Sequence, residues 1–312
     1  MPFLKRSLSN LVTLLAILIG TFFLLHTLPG GPFDTEKQLP KVIQANLYEK
    51  YGLHPKGDDS FLVWLGKDLG AYFKYLPQGR LGPSLTFIDQ DVSAIILQAL
   101  PVSFELGLWA LLVSVMVGCL MGILSARFQN RWFDSSLQSL ATLLISWPSF
   151  IFAVGVIFVF SIYLKLLPPA LWEGPNFRIL PVLTLSLYPT AYLAIFTRHV
   201  LIDQLKSDYI RTARAKGLTF MQAIVSHAFK NASPPVLTLL GPLTAHLITG
   251  SFVVEIIFSI PGLGRHFVSA ITNRDYFLVM GITLVYSTIL ILLNWIVDLL
   301  YVWLDPRLKA HE

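Results

Sequence analysis

The sequence predicts an all-α membrane protein with six membrane-spanning helices, and three observations carry that prediction. Hydrophobic residues make up 54% of the 312. Charged residues are only 13%, against about a quarter in soluble domains. The few charges also fall between long apolar intervals, each near the ~20 residues that a bilayer-crossing helix needs. Mean hydropathy is +0.66.

The apolar intervals run from Leu8 to Leu28, Val102 to Ala126, Ser136 to Leu164, Ile179 to Thr197, Val236 to Phe258 and Phe277 to Leu304. Lys5 and Arg6 ahead of the first invite a signal-peptide reading, but the stretch is long for one and no small-x-small cleavage site follows, so an uncleaved helix is expected. No alternating ten-residue pattern of a membrane barrel competes.

Charge placement sets the expected topology. The formal charge is +5, yet the basic residues are interleaved with apolar spans rather than gathered in one patch, which argues against nucleic acid as a partner. Short segments on one side of the six spans hold twelve Lys and Arg, and those on the other hold four. By the positive-inside rule both termini are then cytoplasmic. The long segment between Pro29 and Leu100 is then exported, with room for short helices at Lys41 to Tyr51 and Phe61 to Tyr75. The single cysteine, Cys119, excludes an internal disulfide.

The largest cytoplasmic feature, Arg198 to Asn231, reads as two short amphipathic helices broken at a glycine. Ser207 and Asp208 suit a helix start, Arg214 and Lys216 the negative end of its dipole, and Gly217 a left-handed position past its end. Thr219 and Gln222 form a capping-box pattern for a second helix, which Pro234 and Pro235 are expected to terminate. Such a hairpin is either a docking surface or a solvated connector.

Glu105, Glu255, His246 and Asp298 are the polar residues nearest membrane depth. They form an ion path or serve structure and gating; the lack of a second carboxylate at i+3 or i+4 favours the latter. Pro148, within Ser146 to Phe150, and Pro189 are expected to kink their helices, for gating or for packing. Pro261, Gly262 and Gly264 mark a turn at the outer face, an element of a gate or a plain connection. The chain carries no GxxxxGK[ST] phosphate loop, no metal-ligand spacing and no GxSxG elbow, so the sequence offers no catalytic residue, metal site or cofactor site of its own.

The blocks DYIRTARAKG (from Asp208), HAFKNASPP, SFVVEIIF, IPGLGRHF, RDYF and DLLYVWLDPRLK, in this order and spacing, resemble the permeases of peptide and nickel ABC importers. LLHTLPGGP (Leu24 to Pro32), RLGPSL (Arg80 to Leu85), ALPVSFELG and SWPSF extend the resemblance toward the N-terminus. It is similar in particular to the first permease subunit of oligopeptide and dipeptide systems. The resemblance implies a type I importer transmembrane domain in a bacterial inner membrane. A first helix (1–28) and an exported region (29–100) would precede a core (101–312) carrying the ATPase-coupling EAA loop (198–233).

It also implies the partners: membrane lipid, a second homologous permease, two ATPases carrying ATP and Mg, and an extracytoplasmic substrate-binding protein. By alignment the EAA triplet falls on Arg211, Thr212 and Ala213, with Asp208 and Ala215 in the same short helix, the family glycine at Gly217 and its later proline at Pro235. Arg211 replaces a glutamate of the general motif, and Gly31 an aspartate of LPGDP. An ion-coupled secondary transporter is the alternative from another class, and a receptor or assembly protein a third.

Overall fold

The computed structural model describes residues 2–27, 30–33, 40–54, 61–248 and 252–304, with backbone alone for 2–7, 61, 62, 64, 65 and 297–304. The described residues are helical almost throughout. The chain divides into two compact units, residues 1–102 with 262–291, and residues 103–261 with 292–312.

The first unit contains α1 (Pro2–Thr27), α2 (Lys41–Tyr51), α3 (Phe61–Phe73), the start of α4 (Val92–Arg127), α12 (Leu263–Thr272) and the start of α13 (Tyr276–Leu304). Its core is aromatic. Phe33 meets Tyr48 edge-on at 4.9 Å, Phe22 meets Tyr72 at 5.3 Å, and Tyr72 meets Phe277 at 4.5 Å. Rings at these spacings add directional packing to the area they bury. Asp68, buried on α3, accepts the His54 N–H at 2.9 Å and pairs with His26 at 3.2 Å, so a side chain tethers the end of α1.

Two motifs far apart in sequence meet on one carboxylate in this unit. Asp275, fully buried, accepts the Ser84 hydroxyl and the Leu85 and Thr86 N–H groups (2.9 and 3.0 Å) on Oδ2, and the Leu278 N–H (3.1 Å) on Oδ1. It thereby caps α13 and holds the RLGPSL turn. Gly82 in that turn has φ +95°, and a β-carbon there would stand 2.5 Å from the Phe277 ring, so glycine is required twice over. Asp91 opens α4 by accepting from Ser93 and Arg80, both at 2.8 Å. Partial burial pushes its carboxyl up, but the donors from Ser93 and Arg80 prevail and hold it below the usual range. The cap therefore stays charged at neutral pH and weakens only as pH falls through that lowered value.

Asp275→Ala would take the acceptor from two buried donors, the Ser84 hydroxyl and the Leu278 N–H, and from the half-buried Leu85 N–H, at about 1 kcal/mol or more for each buried one. Thermal unfolding in detergent is expected to fall by about 6 °C or more, with Asp275→Asn falling less. An unchanged midpoint would remove the anchor role.

In the second unit α7 (Pro175–Leu205) packs against α5 (Trp132–Ser146), α6 (Ser149–Ile157), α10 (Phe229–Ile248) and α11 (Phe252–Ile257). Helix α4 reaches its neighbours through glycines on one face. A β-carbon on Gly107 would lie 2.3 Å from the Leu247 carbonyl, one on Gly118 2.8 Å from that of Thr190, and one on Gly122 2.6 Å from Thr197 Cβ. Small residues four apart let membrane helices approach backbone to backbone, where dispersion and interhelical hydrogen bonds replace the hydrophobic drive. Ser114 adds such a bond, donating to the Ser186 carbonyl at 3.2 Å.

Several boundaries differ from those read in the sequence. Helix α4 begins at Val92 and runs through Pro101, ten residues before the expected start. The third interval is not one kinked helix, because α5 and α6 are separate and meet at 104°. Pro148 cannot continue the ladder and drives Trp147 into an extended conformation (φ −92°, ψ 138°), which ends α5. Among the described residues five helices are long and apolar enough to span a membrane, six if this bent pair counts as one span. By contrast, α7 continues through Pro181 and Pro189.

Pro234 and Pro235 do not terminate a short helix either. The chain is helical from Phe220 through a π-turn at Ile224–Ala228 into α10, which contains both prolines. Pro234 removes the amide donor for the Lys230 carbonyl, and Ser233 Oγ supplies a replacement at 2.9 Å.

Candidate functional site

The residues singled out for coupling lie on α8 (Asp208–Ala215) and the corner that follows. Ile210 is buried against Leu201, Ile202, Ala223, Ile224 and Ala228, and Ala213, one turn on, is buried as well, so this apolar seat sets the rotation of α8 about its axis. Asp208, Arg211, Thr212 and Ala215 are exposed. Arg211 meets Asp208 at 3.3 Å, a surface pair worth little to stability.

Two backbone hydrogen bonds close the corner. The Gly217 N–H donates to the Arg214 carbonyl at 3.0 Å and the Leu218 N–H to the Ala213 carbonyl at 3.4 Å, with Gly217 at φ +94°: a Schellman cap. Two residues on, Thr219 begins α9 (Phe220–Ala223) with the expected capping box. Its N–H donates to Gln222 Oε1 at 2.9 Å, and its hydroxyl accepts the Gln222 N–H at 3.3 Å. The bend between α8 and the long helical run of α9 and α10 is thus built from local codes. Pro235 is elsewhere, half-buried inside α10.

A buried ion pair lies just upstream of α8. Asp134, on the first turn of α5, receives both arms of Arg198 (2.7 and 2.6 Å), the Ser125 hydroxyl at 2.5 Å and the Asn130 N–H at 3.0 Å. The ends of α4 and α7 and the start of α5 thereby share one carboxylate. In the sequence Arg198 counts only as one more cytoplasmic cation; its partner is 64 residues away, and no spacing rule connects them.

The polar residues near membrane depth are engaged. Glu255, fully buried on α11, accepts the Ser103 hydroxyl at 2.8 Å. Glu105 takes Arg178 Nε at 2.6 Å and Nη2 at 3.3 Å, while the same guanidinium lies 4.9 Å from the Trp172 ring. The side chain of Asp298 lies outside the described residues. Pro261 is exposed, and Gly262 caps the start of α12 with φ −98°, which any residue adopts. Gly264 is buried in its first turn, so IPGLG opens a ten-residue helix that the sequence reading lacked.

Pro148 lines a cavity of about 720 Å³ bounded by the α5–α6 bend, α7 and α10. His246, exposed on α10, is part of its wall.

Comparison with known proteins agrees with this architecture. Residues 118–310 match the family described as the binding-protein-dependent transport system inner membrane component. The chain is similar to the dipeptide transport system permease protein DppB of Bacillus subtilis (strain 168), at 41% identity covering 99% of this chain and 98% of that one. It is also similar to the oligopeptide transport system permease proteins OppB of Haemophilus influenzae (40%) and Escherichia coli strain K12 (38%), each covering 98% of both chains. In fold it is similar to a chain of the MetNI methionine ABC transporter in its inward facing conformations, with a TM-score of 0.56 at 15% identity, covering 68% of this chain and 97% of that one. The glycine-mediated helix packing, the capped corner at Gly217 and these matches lead to one conclusion: the chain is an all-α membrane protein of the binding-protein-dependent transport system inner membrane component family.

Proposed function

We propose that this chain is a permease subunit of an ATP-driven importer that carries peptides, or a related small solute such as nickel, across the bacterial inner membrane by alternating access. Its partners on this reading are membrane lipid, a second homologous permease, two ATPases that hold ATP and Mg, and a substrate-binding protein on the outer face. Both termini and α8 face the cytoplasm, in keeping with the twelve-to-four excess of Lys and Arg.

The observation that carries the reading is the seating of α8. Its apolar face is seated through Ile210, with Ala213 buried on the same face, while its charged edge is exposed for a groove on another protein. A rigid capped corner at Gly217 then passes that protein's movement into α9 and α10. Pro148, Glu255, Pro261, Gly262 and Gly264 are the proposed moving or gating parts at the other end of that linkage. The ion-coupled alternative gains no support, because Glu105 is held by Arg178 and Glu255 is buried against Ser103.

The test is reconstitution in vesicles with the cognate permease, ATPases and binding protein. Labelled tripeptide is expected to accumulate only with ATP and Mg. Flux by this chain alone, driven by an ion gradient and indifferent to the ATPases, would overturn the proposal.

A further inference from the structure

The cavity at the α5–α6 bend has a wall chemistry that bears on which solutes pass. At about 720 Å³ it lies within the ~300–1,000 Å³ of small-molecule sites. Its rings are Trp147, Phe152, Tyr188 and Tyr192, and no Asp, Glu, Lys or Arg is among its lining residues. Three of these residues are partly exposed, Trp147 50%, Tyr188 42% and Tyr192 36%. Tyr188 and Tyr192, one turn apart on α7, stack at 6.2 Å with their planes 11° apart and make a flat panel.

Polar capacity comes from phenol hydroxyls, Ser149 and the imidazole of His246. Pro189 also cannot donate to the carbonyl of Leu185, itself a wall residue.

We infer that this cavity is the chain's share of the solute path and that its aromatic wall, which holds no carboxylate, lysine or arginine, passes short peptides of either sign of charge. The inference rests on the importer reading above. A fixed charge in a site shielded from water holds opposite charges and repels like ones strongly, so a wall carrying one would trap half of all charged peptides and exclude the rest. Aromatic faces instead accept apolar side chains, and cations over the ring, through weak contacts of similar size. Tyr hydroxyls, Ser149 and His246 can meet the peptide groups that all such solutes share.

The test introduces charge on the panel. In the reconstituted importer, the ratio of acidic to basic tripeptide uptake is measured for Tyr192→Asp, Tyr192→Lys and Tyr192→Gln and expressed relative to the unsubstituted chain. Tyr192→Asp is expected to lower that ratio and Tyr192→Lys to raise it, each by about tenfold, with Tyr192→Gln near unity. ATP-dependent uptake with an unchanged ratio in both charged variants overturns the inference and leaves the importer reading standing; absence of ATP-dependent uptake in the unsubstituted chain overturns the reading itself.

Should the charged variants not assemble, Tyr192→Cys in a Cys119→Ser background serves instead. Both a cationic and an anionic methanethiosulfonate are expected to label it at rates within about threefold of each other and to block uptake of acidic and basic tripeptides alike. Reaction with neither, as for a surface covered by lipid, overturns the inference, and so does a strong preference for one sign.

Discussion

Gly122→Leu is expected to leave almost no folded chain. The added β-carbon alone would stand 2.6 Å from Thr197 Cβ and 2.8 Å from the Ala194 carbonyl. Backbone cannot swing aside as the tip of a long side chain can, so α4 and α7 must separate along their length. Overpacking in a core costs about 1–3 kcal/mol, and here the loss extends to the Gly118 contact and the Ser114 bond four residues further on. Monodisperse material after detergent extraction should drop at least tenfold, by the ~1.4 kcal/mol per decade that links energy to population. Gly155→Leu is the control, since a β-carbon there meets nothing within 4 Å. Normal yield for Gly122→Leu would show that α4 and α7 do not need this approach.

The second large effect concerns Gly217 and leaves folding intact. A β-carbon at this position also meets nothing within 4 Å, so the penalty of substitution lies wholly in the backbone at φ +94°. For a β-branched side chain the left-handed region costs about 1–2 kcal/mol or more, and the cheapest relief is to rotate the corner. Gly217→Val should therefore insert normally and reach ordinary abundance, while ATP-dependent uptake falls at least tenfold, a drop that ~1.4 kcal/mol in the productive geometry produces. Gly217→Asn should retain most uptake, because asparagine tolerates this conformation. Wild-type transport by Gly217→Val would remove the lever role proposed for the corner.

What could be read in the sequence was what is encoded locally. Apolar intervals announce themselves by the absence of charge, and the Gly217 cap and Thr219 box are written within a few residues of each other. Proline was ambiguous. Pro148 breaks the chain into α5 and α6, whereas Pro189 and Pro234 sit inside helices, and at Pro234 the Ser233 hydroxyl replaces the donor that the Lys230 carbonyl loses, a repair that proline spacing does not announce. Asp134 with Arg198 and Asp275 with Ser84 were invisible because 64 and 191 residues separate the partners. The Gly118 and Gly122 pair was legible in principle as a small-xxx-small stripe, but its partner helix was not.

The Asp134 carboxylate has a mechanical meaning for the segment downstream of it. By clasping Arg198 it pins the cytoplasmic end of α7 to two other helix ends on the proposed topology, so that end is an abutment rather than a spring. Between Leu205, where α7 stops, and Asp208, where α8 starts, only Lys206 and Ser207 are outside a helix. On the proposed coupling, a thrust on α8 would bear on that two-residue link and on the Leu201 and Ile202 seat, and its travel would pass on into α9 and α10.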